Sequence, residues 1–391
     1  MAKVLKISCG TWEHASRDER ELSVYRELGE EVVVMAKGQL GDKYKQTVVD
    51  GFDVFLFSTV PFGVWFPWKV NVLLGLFMWT HYVRSFHADV LSCHDIWALL
   101  IGWLSTVFIP KAKKPKLIYD SHEFEIGRNK VRSKFKIFCI TQLERFLIKR
   151  AALTIVVCDS IADEVQRIHG LKERPVVVRS TPEYWETDTD ICQENRKKLL
   201  QRFDGKVNFL LMFHGNLGNG NGIELILPVL AAEEDIGLVL MGEKTSPEQI
   251  ALLEKMSKEL SIEDRILYLP PVKQTDIWKF AGAVDLEMML IQPIVRSYYF
   301  ALPNKFFESV QSLTPMVASD LPEMKGLIDK YQIGLYCDIN DSNEILDCVM
   351  RMREDKRFYE SCKENLKTAK RELCWAEEKK VLIEAYKRMR S

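Results

Sequence analysis

The strongest constraint on this chain is a rhythm. Short apolar runs recur along residues 1 to 180: VLKIS (4–8), EVVVMA (31–36), VFLFST (54–59), DVLSCH (89–94), KLIYDS (116–121), LTIVVC (153–158) and PVVVRS (175–180). Most are separated by stretches long enough for a helix, and that alternation predicts a parallel sheet with helices on both faces. The rhythm returns at residues 209–215, 236–242, 265–270, 284–291, 316–319 and 334–339. Two doubly wound α/β domains follow, with 391 residues giving each an ordinary size. The expected boundaries are 1–180 for the first domain, 181–206 for a polar linker, 207–374 for the second domain and 375–391 for a last helix. In that helix Trp375, Val381, Leu382 and Tyr386 can form an apolar stripe.

Composition excludes a disordered or fibrous chain, since 47% of residues are hydrophobic and 28% charged. The net charge of −1 conceals a basic first half and an acidic remainder: residues 1–180 carry 26 Lys and Arg against 20 Asp and Glu. A basic first half fits an anionic surface or acceptor and equally fits ordinary scatter. The nine cysteines form no C-x-x-C pair, which argues for reduced thiols and a cytoplasmic protein. Met1-Ala2-Lys3 runs straight into the first strand-like run, with no signal-peptide pattern. Asp188 and Asp190 form a D-x-D in the expected linker, where they read as solvated side chains.

The second domain holds the most specific stretch, ALPNKFFESVQSLTPMVASDLPEM (301–324). A helix from Pro303, suited to a first helical position, would pack Phe306, Phe307, Val310 and Leu313. Asn304, Lys305, Glu308 and Gln311 would lie largely outside that arc, free to meet a ligand. NKFFES, TPMVASDLPEM and the later IGLYCDINDSNEI resemble the donor-binding end of the retaining GT-B glycosyltransferases of family 4 (glycosyl transferases group 1). YDSHE (119–123) and SRDERELSVYRELGEEVVVMA (16–36) are similar to the first domain of that family.

The resemblance implies two Rossmann-like domains facing across a cleft, with the C-terminal helix crossing back to the first. It implies transfer of a hexose-type residue from a nucleoside diphosphate sugar, with a UDP-sugar as the expected donor. The acceptor would be a glycan or a lipid-linked glycan, as in surface polysaccharide synthesis, and anomeric configuration would be retained without metal or other cofactor. Glu308 would take the ribose hydroxyls, a role a carboxylate suits because it accepts two hydrogen bonds. Lys305 and the loop Gly215, Asn216, Asn221, Gly222 would hold the diphosphate. Backbone at Ala301, Leu302, Pro303 and Asn304 would meet the donor sugar. His122 would be the catalytic residue that orients the sugar, with Gly10, His94, Asp95 and Glu123 on the acceptor side.

The chain departs from the family in two places. Asn216 and Asn221 stand where many relatives carry cations, and Phe300 stands where a first glutamate precedes the second. A diphosphate leaving group needs its developing charge neutralised, so Lys305, Arg296 and loop amides must serve. The glycine loop HGNLGNGNGIELI (214–226) presents backbone N–H groups but is not a G-x-G-x-x-G, which disfavours NAD. Zinc on His94, Asp95, His122 and Glu123 has suitable ligand types without helical i, i+4 spacing, and no metal is assigned. A GT-B sugar-nucleotide epimerase and a non-catalytic sugar-nucleotide or glycan-binding protein remain alternatives; nucleic acid is not an expected partner.

Two apolar stretches, from Pro61 and from Ile96, read as buried or partly buried helices of the first domain rather than as membrane spans. The second expectation is a peripheral contact at the inner membrane face. It would use Trp65, Trp68 and Trp79, assisted by Lys111, Lys113, Lys114 and Lys116.

Overall fold

The computed structural model describes residues 1–10, 16–39, 44–49, 51–58, 67–128 and 133–391; Thr11 and Trp65 lie outside them. The chain divides into two compact units, Met1–Arg179 with Lys379–Ser391, and Ser180–Glu378.

The first unit is built on β1 (Lys3–Ser8), β2 (Glu31–Lys37), β3 (Lys45–Val49), β4 (Phe52–Phe57), β5 (Val90–His94), β6 (Lys116–Ser121), β7 (Leu153–Val156) and β8 (Val176–Val177). They form one eight-stranded sheet in the order β3-β4-β2-β1-β5-β6-β7-β8. All neighbours are parallel except β3, which pairs antiparallel with β4 at the edge. Its KQTVV residues are all exposed or half-buried, so it never reads as a buried strand. The helices are α1 (Ser16–Glu27), α2 (Trp68–Ser85), α3 (Asp95–Thr106), α4 (Lys134–Ile148) and α5 (Asp159–His169).

Both apolar stretches are helical where described, and no helix among the described residues is long and apolar enough to cross a membrane. Trp79 corrects the expected surface. It is buried, and its indole N–H donates to the Ser58 carbonyl at 3.1 Å, whereas Trp68 stays exposed. Lys116 is half-buried and donates to the Met389 and Arg390 carbonyls of the closing helix, Trp375–Arg390.

The second unit carries β9 (Phe209–His214), β10 (Ile236–Met241), β11 (Ile266–Leu269), β12 (Leu286–Met289), β13 (Met316–Ser319) and β14 (Gly334–Cys337). This sheet is wholly parallel, in the order β11-β10-β9-β12-β13-β14. Reversal of strand order on either side of β9 is the switch point at which open α/β sheets bind ligands.

The segment expected as a polar linker is largely structured. Thr189–Gln201 is a helix, α6, and Trp185 packs with Cys192 and Trp278 while its N–H donates to Gln311 Oε1 at 3.1 Å. The D-x-D has a structural role: the Asp188 carboxylate accepts from the N–H groups of Asp190 and Ile191, capping α6. In the closing helix, Leu382 and Tyr386 are buried and Val381 is 42% exposed. One residue is a turn of 100°, so Val381 cannot share the arc of Leu382, and Ala385 takes the expected place. Tyr386 lies 4.9 Å from the Tyr25 ring and donates to Glu30.

Replacing Asp188 by Ala should cost ~1 kcal/mol in urea unfolding, the value of an N-cap. Added Mn²⁺ should leave the melting temperature of the wild type unchanged if this carboxylate pair is a cap alone.

Candidate functional site

In the second unit the helix of interest is Asn304–Gln311, one residue shorter at its start than expected: Pro303 is its extended N-cap, with ψ 156°. Phe306, Phe307 and Val310 pack into the core with Met289, Met316 and Leu327, as the periodicity demands. The polar side is not wet, however. Lys305 is 8% and Glu308 6% exposed, and Gln311 is fully buried, so both candidate ligand groups sit in a walled site.

What walls it is a charged relay that begins on β9. His214 closes that strand after five buried apolar residues. Glu287 on β12 is in register with Met212, two residues earlier on β9, and so projects to the same face. His214 Nδ1 lies 2.8 Å from Glu287 Oε1, and its Nε2 lies 3.0 Å from Glu308 Oε2. Burial opposes charge on this ring, but the two carboxylates outweigh it and raise His214 to about 9. The imidazolium therefore donates both N–H groups. Burial likewise opposes the Glu308 carboxylate, while His214 and Gln274 hold its pKa below the usual value; Gln274 Nε2 donates to Oε1 at 2.8 Å. Glu287 Oε2 is buried without a hydrogen-bond partner among the described residues.

Lys305 has a different environment. Its ammonium sits 3.6 Å above the Phe213 ring and 3.3 Å from Asn221 Oδ1, and burial pushes its pKa down to about 7. The Asn221 amide in turn donates to the carbonyls of Asn216 and Gly218 at 3.1 and 3.2 Å. Asn221 thus closes the loop on itself and hands Lys305 an acceptor, which rationalises an amide where the family pattern has a cation. Asn216 points elsewhere, accepting from the Thr245 hydroxyl. Gly222 has φ +67°, and an added Cβ would lie 1.9 Å from the Leu290 carbonyl oxygen, so only glycine fits there. Gly215 stands beside the Lys305 side chain, while Ala301, Leu302 and Pro303 are half-buried just before the helix.

In the first unit the chemistry gathers at the C-terminal edge of the sheet, where Ser8, His94 and Asp120 share one row across β1, β5 and β6. Its centre is Lys6, fully buried in β1. The ammonium lies 2.6 Å from Glu21, 3.0 Å from Asp18 and 3.1 Å from Asp120. His122 Nε2 is 2.6 Å from Asp120 Oδ2, and His94 Nδ1 is 3.2 Å from both Asp18 oxygens. The two imidazoles lie 3.8 Å apart and settle differently. Burial lowers His122, with the neighbouring His94 and Arg17 adding to it against Asp120; Asp18 raises His94 against its burial. The shifts are therefore opposed, the charged form being favoured at His94 and disfavoured at His122. Burial, together with Asp120 and Asp18, pushes Glu21 up to about 7, although Lys6 opposes the shift.

Arg128 pairs with Asp95 at 3.1 Å and with Glu123 at 2.8 Å, and the Asp95 oxygen it meets also lies 3.7 Å from His94 Nε2. Asp95 also adopts φ 66°, a left-handed strand-to-helix joint of the kind found at functional sites. Asp18 and Asp120 hydrogen-bond the histidines, and these four residues bring potential metal-ligand atoms within 4.8 Å of one another. Lys6 already bonds both carboxylates, so a metal ion there would have to displace an ammonium. Gly10 needs no special conformation: a Cβ would meet nothing closer than Ser8 Oγ at 3.6 Å.

Sequence reasoning missed Lys6, Arg17, Asp18 and Glu21 in the first unit and His214, Glu287 and Gln274 in the second. Lys6 and Glu287 did carry a signal, since an ionised residue inside an apolar strand of a doubly covered sheet must have a buried partner.

Residues 22–181 match a family model described as Glycosyltransferase Family 4, and residues 194–369 one described as Glycosyl transferases group 1. Among solved structures, the sucrose-phosphate synthase of Thermosynechococcus elongatus is similar with a TM-score of 0.77 at 13% identity, over 100% of this chain and 99% of that one. Anabaena Alr3699/HepE, solved in complex with UDP and glucose, is similar with a TM-score of 0.74 at 16% identity, over all of both chains. The catalytic domain of starch synthase IV from Arabidopsis thaliana, bound to ADP and acarbose, reaches 0.67 at 11% identity, over 99% of each. At such identities the likeness establishes the fold. No curated protein matches the chain.

The relay makes a pH prediction of two opposed parts. His214 is raised from 6.5 to about 9, so its stabilisation is complete below about pH 6.5 and is lost as pH rises through about 9. Lys305 is lowered from 10.5 to about 7, so between those values the unfolded chain binds the proton and stability rises with pH. Across pH 7 to 9 the two slopes offset. Lys305→Met should remove one of them, and its unfolding free energy relative to wild type should fall by up to ~1.4 kcal/mol per pH unit in that window. His214→Gln should show a relative slope of opposite sign in the same denaturation series.

Proposed function

The chain belongs to the GT-B glycosyltransferases, and from that premise we propose that it is a retaining, metal-independent enzyme of family 4. It moves a hexose-type residue from a UDP-sugar to a hydroxyl of a glycan or lipid-linked acceptor. The observation that carries this reading is the pairing of Lys305 and Glu308 on one buried helix beside the glycine loop, with Glu308 oriented by His214. The uridine assignment draws support from HepE, which was solved with UDP and glucose.

In this reading residues 207–374 hold the donor and residues 1–180 the acceptor. A carboxylate offers four acceptor positions, of which His214 and Gln274 use two on Glu308, leaving two for ribose hydroxyls. Lys305, poised near neutrality when the site is empty, gains its proton beside a diphosphate and offsets the charge that develops as the anomeric C–O bond breaks. The loop amides up to Gly222 face the same phosphates, Asn221 braces the loop against Lys305 while Asn216 is held by Thr245, and backbone at Ala301 to Asn304 meets the sugar. As the acceptor oxygen bonds to the anomeric carbon, its proton passes to the departing phosphate. His122, held by Asp120, orients the sugar, and His94, Asp95, Glu123 and Gly10 lie on the acceptor side.

Glu308→Ala should weaken UDP binding by about 2 kcal/mol or more, the loss expected for charge-assisted hydrogen bonds in a closed site. An unchanged dissociation constant in calorimetry removes Glu308 from the donor site. His122→Ala should lower turnover more than donor affinity, so that kcat falls while the dissociation constant of the UDP-sugar stays near wild type. Donor binding without hydrolysis or transfer by the wild type would instead favour a binding protein.

A further inference from the structure

Helix α2 is apolar on two sides. Its inner side buries Asn71, Gly75, Trp79 and Val83. Its outer side carries Val70, Leu73, Leu74 and Phe77 at i, i+3, i+4 and i+7, with exposures of 44%, 55%, 36% and 70%. A helix that only has to cover a sheet needs one such stripe. Helix α4 repeats the anomaly: Phe135, Phe138 and Phe146 are 75%, 60% and 40% exposed, on the side opposite buried Glu144, Leu147 and Ile148.

These helices belong to one layer. α2, α3 and α4 connect β4 to β5, β5 to β6 and β6 to β7, always advancing the same way across the sheet, so right-handed crossovers put all three on one face. Contacts agree: Arg84 of α2 donates to the Ser105 carbonyl of α3, and Trp103 of α3 meets Phe146 of α4 with ring centroids 4.9 Å apart. Phe108, 85% exposed, follows α3.

Charge on the α2–α4 part of this layer is mainly positive, while α5, brought to the same face by the β7-to-β8 crossover, adds Asp159, Asp163 and Glu164, which pair with Arg174, Arg179 and Arg167. Across α2, α3, α4 and the Lys111–Lys113 turn there are two carboxylates, Asp95, paired with Arg128, and Glu144, buried against Tyr119. Exposed cations are plentiful, with Lys69 on α2, Lys111, Lys113 and Lys114 after α3, and Lys134 and Lys136 on α4.

We propose that the α2–α4 face of the first unit docks on an anionic lipid surface. The outer stripes of α2 and α4 lie in the plane of the headgroups with their aromatic and aliphatic ends in the acyl boundary, and the lysines meet lipid phosphates. Lipid fits both properties of the face at once, whereas a second copy of the chain would set lysines against lysines. The docking stands without the transferase reading and meets it at one point: α2 and α4 both start at the sheet edge that holds His94 and His122, where a lipid-linked acceptor would be presented.

The test is flotation of the full chain with vesicles of phosphatidylcholine, alone or with phosphatidylglycerol. Wild type should float with the anionic vesicles only, and less so as salt rises. The triple change Lys111→Glu, Lys113→Glu, Lys114→Glu should lower partitioning on the order of a hundredfold. Leu73→Ser with Phe77→Ser and Phe135→Ser should also lower it, with thermal unfolding and UDP binding as in wild type, since all of these side chains are exposed. Wild type that stays with the buffer at low salt, or variants that float as well as it does, would overturn the proposal. So would dimerisation through these residues without vesicle binding. Flotation retained in a chain that binds no UDP would count against the donor reading and leave the docking intact.

Discussion

Each sheet is organised by one buried cation on its central strand. In the first, Lys6 on β1 gathers Asp18, Glu21 and Asp120; in the second, His214 on β9 gathers Glu287 and Glu308. Buried carboxylates are tolerated only when paired, so the position of each cation dictates where carboxylates can stand at the sheet edge. The two solutions differ in kind. Lys6 is held well above its usual pKa by three acids and never changes state near neutrality, whereas the His214 charge depends on pH and on the state of Glu308. Lys6 therefore keeps its charge near neutrality even though Glu21 beside it is pushed up to about 7, and the second edge is adjustable where a charged ligand would arrive.

That difference extends to the glycine loop. The loop offers amides, and the cation comes from Lys305 on the helix beside it. Asn221 joins the two, because its carboxamide accepts from Lys305 and donates to two loop carbonyls. A side chain that looked like a loss in the sequence is a hinge pin in the structure. The cost is that Lys305 is desolvated above Phe213 and only weakly held as an ammonium until another anion joins it.

The alternation of buried runs was enough to place six strands in the second unit, because strands covered on both faces are nearly all apolar. It failed at β3, whose exposed edge lacks that signature, and at α6, whose polar sequence hides an amphipathic helix anchored by Asp188 and Trp185. Glu308 and Lys305 were legible through their flanking phrase, yet periodicity put them in solvent. Helical spacing reports which residues share a side, and the second wall of the site comes from Gln274 and His214, far away in sequence. Asp95 and Glu123 were singled out beside two histidines, but nothing local revealed that Arg128 would claim Glu123 and share Asp95 with His94 while Asp18 reached across from α1.

The first unit is discontinuous: its last segment, Lys379–Ser391, arrives after the whole of the second. Tyr386 stacks near Tyr25, Lys379 pairs with Glu27, and Lys116 reaches the Met389 carbonyl. A chain emerging from the ribosome therefore exposes the α1 and β6 docking ground of that segment throughout translation of nearly 200 intervening residues. The second unit, continuous in sequence, is positioned to mature first, and completion of the earlier-made half waits for the last turns of helix to be released.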